Sequence, residues 1–106
     1  MATRSLDLLA TPAEILAFGA SMASPQLVLV EANETLGRID YQTTAQALSF
    51  GVHVRLSVFP VKDGSRVILD GRRVHPLNLT AGINRCLANI ERELRRRFPA
   101  AEGAVL

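Results

Sequence analysis

"VHVRLSVFPVKDGSRVILD", Val52 to Asp70, decides the fold of this chain. Val52, Val54, Leu56 and Val58 alternate with His53, Arg55 and Ser57. That period of two is the signature of a strand with one dry face and one wet face. Lys62-Asp63-Gly64-Ser65 is turn chemistry, with Gly64 available for the left-handed position. Val67 and Leu69 then share one face of a second strand, with Ile68 on the other. Strand, tight turn and strand form a hairpin, so the sheet it belongs to is antiparallel. Pro60 falls near the end of the first strand, where a missing donor is tolerated at an edge or a bulge. Asp70-Gly71 either ends the second strand or opens another tight turn.

Two more strands are expected before the hairpin. Gln26–Ala32, "QLVLVEA", is rich in β-formers, and "NETLG", Asn33–Gly37, supplies a turn. Beyond it Ile39, Tyr41, Thr43, Ala45 and Ala47 share a face, with Asp40, Gln42, Thr44 and Gln46 opposite. Leu48–Gly51 breaks the alternation. Upstream, "TPAE", Thr11–Glu14, is a helix start: Thr11 caps, Pro12 takes the first helical position and Glu14 completes a capping box. Ile15, Phe18, Gly19 and Met22 follow at helical spacing, and the helix stops near Ser24–Pro25. Gly19, Ala20 and Ser21 leave room for close approach to a sheet or a partner.

A long helix follows Pro76, capped by Thr80 or by Asn78. Ile83, Leu87, Ile90 and Leu94 form its apolar stripe, widened by Cys86 and Phe98. Glu91→Arg95 and Glu93→Arg97 are favourable i,i+4 pairs, and Arg95–Arg97 complement the helix dipole. Phe98-Pro99 ends it. The expected architecture is α+β: an N-terminal helix, a four-stranded antiparallel sheet and a long C-terminal helix packed on one sheet face. Residues 1–106 form a single domain, with residues 1–10 and 99–106 as flexible ends.

Composition narrows function. Apolar residues make up 48% of the 106, enough to bury a core, and aromatics only 5%, with no Trp. Few rings are therefore available to stack bases, and nucleic acid is not an expected partner. Net charge is +2, unevenly spread: residues 1–53 carry two bases against five acids, and residues 54–106 ten against five. Eleven of the twelve cations are Arg, the better fork for carboxylate and phosphate. The Arg92/Arg95/Arg96/Arg97 cluster is interleaved with Glu91 and Glu93 and reads as a solvated face. Cys86 is the single cysteine, so neither an intrachain disulfide nor a paired-Cys metal site arises. The N-terminus lacks a signal-peptide core, and no run reaches the ~20 apolar residues of a membrane span. A cytoplasmic protein with no membrane association and no cofactor is expected.

Chemistry concentrates in "GRRVHPLNLTAGINR", Gly71–Arg85. Arg72, Arg73, His75, Asn84 and Arg85 are the candidate ligand-binding residues, gathered near a helix start whose free N–H groups suit an anion. Asn78 and Asn84 also suit backbone satisfaction at that helix start. His53 and His75 are the only imidazoles, and no HExxH, GxSxG or GxxxxGK motif accompanies them. The expected function is a non-enzymatic binding or interaction module, taking an anion or apolar ligand near the junction of sheet and C-terminal helix. The alternative is a small hydrolase-like or lyase-like enzyme using His53 or His75 with Asp70 or Asp40. A homodimer is expected through a sheet edge or the first helix.

Gly37-Arg38-Ile39, Val52-His53-Val54-Arg55, Asp63-Gly64-Ser65-Arg66-Val67 and Gly82-Ile83-Asn84 follow one another across Leu27–Leu94. In that order and spacing the chain resembles a family of short bacterial domains of unknown function. It departs from the family at Thr80, where an Asp is usual, and at Cys86, where an Arg is usual. The pattern also resembles, more loosely, the C-terminal half of helix-grip domains. That resemblance implies an apolar ligand held between a curved sheet and a long final helix.

Overall fold

A computed structural model describes residues 2–43, 51–73 and 83–100. The chain runs β1 (Ala2–Leu8), α1 (Pro12–Ser21), β2 (Leu27–Asn33), β3 (Arg38–Thr43), β4 (Val52–Val61), β5 (Gly64–Arg73) and α2 (Ile83–Arg97). The strands form one antiparallel sheet in the order β1-β5-β4-β3-β2. β2 to β5 are a meander, and β1 closes the sheet beside β5. Both helices cover the same face, α1 over β3 and β4, and α2 over β5 and β1.

The hairpin forms as its alternation predicts. Val52, Val54, Leu56 and Val58 are buried, and Leu56 pairs with Leu69 and Val58 with Val67. Lys62 and Asp63 make the two-residue turn. Gly64 is required there by proximity: a Cβ would lie 2.1 Å from the Leu8 carbonyl oxygen. α2 buries Leu87, Ile90, Leu94 and Phe98 and half-buries Ile83 and Cys86, the stripe expected of it. Thr11 caps α1 by accepting the Glu14 N–H at 3.2 Å. Fully burying a Leu or Ile stabilises by about 1.5–3 kcal/mol. The shared core of sheet and helices therefore dominates over any single polar contact.

Three expectations need correction. The sheet has five strands, because Ala2–Leu8, expected as a flexible end, is a strand. Leu6 and Leu8 enter the core, and Leu6 pairs with Val67. Its partner lies about sixty residues away in sequence, so no local turn signals it. β5 neither ends nor turns at Asp70-Gly71 but continues to Arg73. Gly71 serves the packing instead: a Cβ there would stand 2.7 Å from Ile83 Cγ2 and 3.3 Å from Leu87 Cδ2. α2 crosses the sheet where the strand has no side chain. Third, Glu93 pairs with Arg96 at 3.6 Å, while Arg97 lies over the Phe98 ring. The Glu91–Arg95 pair forms at 2.9 Å.

Of the small residues of α1, Gly19 faces the sheet, and Ser21 is exposed. Gly19 is buried, its α-carbon directed at Ile39 and Tyr41, and the Tyr41 hydroxyl donates to its carbonyl at 2.5 Å. Burial raises the Tyr41 pKa well above the ordinary phenol value. The helix thus approaches closely enough for a side chain to bond its backbone. Residues 44–50, with the expected Ala45–Ala47 strand positions, and residues 74–82, with the expected Thr80 or Asn78 cap, lie outside the described residues, as do residues 101–106.

Candidate anion site on the open sheet face

The same alternation that buries the valines of β4 turns His53, Arg55 and Ser57 to the face without helices. Register then assembles a cluster. Asp40 of β3 stands opposite Arg55, and Gln42 opposite His53. On the other side, Arg55 stands opposite Asp70 and His53 opposite Arg72. Directly opposed and diagonal neighbours on one face lie within side-chain reach.

Asp40 organises the cluster. Its Oδ1 accepts Arg55 Nε at 2.9 Å and contacts His53 Nε2 at 3.2 Å. Expected on a wet face, Asp40 is only 6% exposed, because these two long side chains and β2 cover it. Burial raises its carboxyl pKa, yet hydrogen bonds and charge from Arg55 and His53 outweigh burial and hold it below 3.8. Asp40 also raises the Arg55 guanidinium. Asp70 accepts the Thr3 hydroxyl of β1 at 2.8 Å, so four neighbouring strands contribute.

His53, Arg55, Asp70, Gly71 and Arg72 line an open depression of about 160 Å³. Its donors are unevenly used. Arg55 engages Asp40 through Nε, and its terminal nitrogens make no hydrogen bond among the described residues. Arg72 is exposed and has no ion-pair partner among the described residues. Such an arrangement can grip a small planar or tetrahedral anion from one side. A His–Asp pair is also the core of general-base chemistry, but no hydroxyl or thiol of the described residues hydrogen-bonds His53. Cys86 belongs to α2, on the opposite side of the sheet, where burial raises its thiol pKa. Among the described residues no three His, Cys, Asp or Glu side chains gather as a metal site.

The five residues singled out in the sequence do not converge as expected. Arg72 follows Gly71, whose α-carbon faces α2, and therefore points away from that helix into the depression. Asn84 and Arg85 are exposed on the first turn of α2, across the sheet from Arg72. Arg73 ends β5 opposite Val52. His75 lies outside the described residues. Sequence proximity joined residues that a strand then separated, since consecutive side chains point to opposite faces. Asp40 and Arg55 were absent from that set. Their signal was present in the alternation of "RIDYQ" and "VHVRLS", but register was needed to bring them together.

No helix among the described residues is long and apolar enough to cross a membrane. No family model, curated protein or solved structure matches the chain.

Proposed function

We propose that this chain is a small non-enzymatic binding module that takes a compact anion, a carboxylate or phosphate, on its open sheet face. The observation that carries the reading is the buried Asp40 carboxylate. It holds Arg55 and His53 in place beside Arg72, which has no ion-pair partner among the described residues. A preset array loses less side-chain freedom on binding than free surface arginines would. The apolar-ligand reading has less support: Gly71 brings α2 close to β5, and Leu87 and Leu94 are fully buried there. The helix-grip resemblance then concerns architecture, a final helix laid across an antiparallel sheet. A second reading, acid–base catalysis, rests on the His53–Asp40 contact alone.

Titration of ¹⁵N-labelled protein with inorganic phosphate and with succinate tests the proposal. Shifts are expected at His53, Arg55 and Arg72, with affinity about tenfold weaker in Arg72→Ala, or roughly 1.4 kcal/mol. Shifts confined to the α2 start at Asn84 and Arg85, or unchanged by Arg72→Ala, would remove it.

A further inference from the structure

We infer that β2 is a self-association edge, at which two copies of this chain pair antiparallel to extend the sheet through a two-fold axis. β2 is the last strand of the sheet, so one side of its backbone meets no other strand among the described residues. Val28, Leu29 and Val30 are 44%, 36% and 56% exposed, and Leu36 of the following turn 55%. Among the described residues, four of the six large exposed apolar side chains therefore gather at this edge. Edge strands are ordinarily blunted by lysine, proline or covering segments. Leu27–Asn33 contains no Lys, Arg or Pro, and Glu31 is its one charge.

The occupant follows from charge and closure. An antiparallel copy centred on Val28 or Leu29 sets both of these side chains against apolar residues of the second copy. It brings Glu31 opposite the second copy's Pro25 or Leu27, so the two carboxylates do not meet. An isologous contact consumes the same edge on both copies. At the opposite edge the chain itself covers the Leu8 end of β1: Leu8 bridges to Ala100, and the Leu9 N–H donates to the Pro99 carbonyl at 2.8 Å. Assembly through β2 accordingly stops at two chains. The irregularity between Leu29 and Glu31 bends the strand and shortens the new ladder. The dimer is therefore weak and forms at high protein concentration. The first helix offers less apolar surface for pairing, since Gly19 faces its own sheet.

Sedimentation equilibrium from micromolar to millimolar protein tests the inference. The wild-type mass is expected to rise from 11.5 kDa towards twice that value. Val30→Lys is expected to stay at one chain with an unchanged circular dichroism spectrum, and Ser5→Lys, on β1, to behave as wild type. If Val30→Lys does not fold, Val28→Lys and hydrogen exchange replace it. Half of the wild-type β2 amides should then become slower to exchange as concentration rises. A wild-type chain that stays single throughout, a Val30→Lys or Val28→Lys variant that pairs as wild type, or a Ser5→Lys variant that fails to pair overturns the inference. So do β2 exchange rates that ignore concentration.

Discussion

The two edges of this sheet are built from opposite materials. β1, Ala2–Leu8, inserts Leu6 and Leu8 into the core and carries Arg4 and Asp7 in ion pairs with Glu91 and Arg66. Its end is fastened by the Pro99–Ala100 backbone and by the Ser65 hydroxyl, which donates to the Ala10 carbonyl at 2.7 Å. β2, Leu27–Asn33, half-buries Leu27 and leaves Val28, Leu29 and Val30 in solvent. Its composition is the more apolar of the two, yet it contributes less to the core. Burial depends on what lies above a strand: α2 reaches β1, whereas α1 lies mainly over β3 and β4. Hydrophobicity alone does not tell a core strand from an open edge.

Substitutions can break that contrast. Leu8→Ala removes a fully buried side chain, and the cavity should cost about 4 kcal/mol. Urea denaturation would measure it, and a change below 1 kcal/mol would mean that β1 is not part of the cooperative core. Gly64→Ala places a methyl against the Leu8 backbone oxygen and should cost about 3 kcal/mol by prising β1 from the hairpin. Increased hydrogen exchange in β1, with β3 still protected, would localise the damage.

Acid should act on the fastened edge. The Arg66 hydrogen bond holds Asp7 below its ordinary 3.8, and bonds from Arg95 and then Arg4 hold Glu91 below its ordinary 4.5. A depressed carboxylate binds its proton more readily when unfolded. Its stabilisation is thus complete above those ordinary values and is lost as pH falls through the lower folded values. Glu91→Gln should cost about 1 kcal/mol at neutral pH and progressively less as pH falls below 4.5 through the lower folded value. An equal cost at neutral and acid pH would show that shape, not charge, holds α2 to β1. The smallest effect is expected at the open edge. Val30→Thr should change stability by no more than about 0.5 kcal/mol, because the side chain is already in water. A larger loss by thermal denaturation would mean that β2 is covered in solution, and its dependence on protein concentration would identify the cover as a second copy.

Much of the molecule is legible in local patterns, and the candidate site was legible only in fragments. The valines of β4, the turn before Gly64 and the stripe from Ile83 to Leu94 each follow from a period that one side of an element imposes. Thr11 and Pro12 mark the start of α1 because capping is settled within one helical turn. The strand at Ala2–Leu8 escaped because its alternation is short and its partner is distant. Gly71 read as a terminator because glycine weakens strands, whereas here its missing side chain admits a helix. Arg72 and Asn84 appeared to be neighbours in a site, and the pleat assigned them to opposite faces.

The sequence by itself determined that this chain makes an antiparallel hairpin, an amphipathic closing helix and a core of aliphatic residues, since these depend on side-chain periodicity over a few turns. Only the tertiary structure decided that β1 joins β5, that Asp40 is buried between Arg55 and His53, and that β2 is the bare edge. Those outcomes depend on register and on helix reach. Both are set by contacts between segments tens of residues apart, whose free energy no local pattern records.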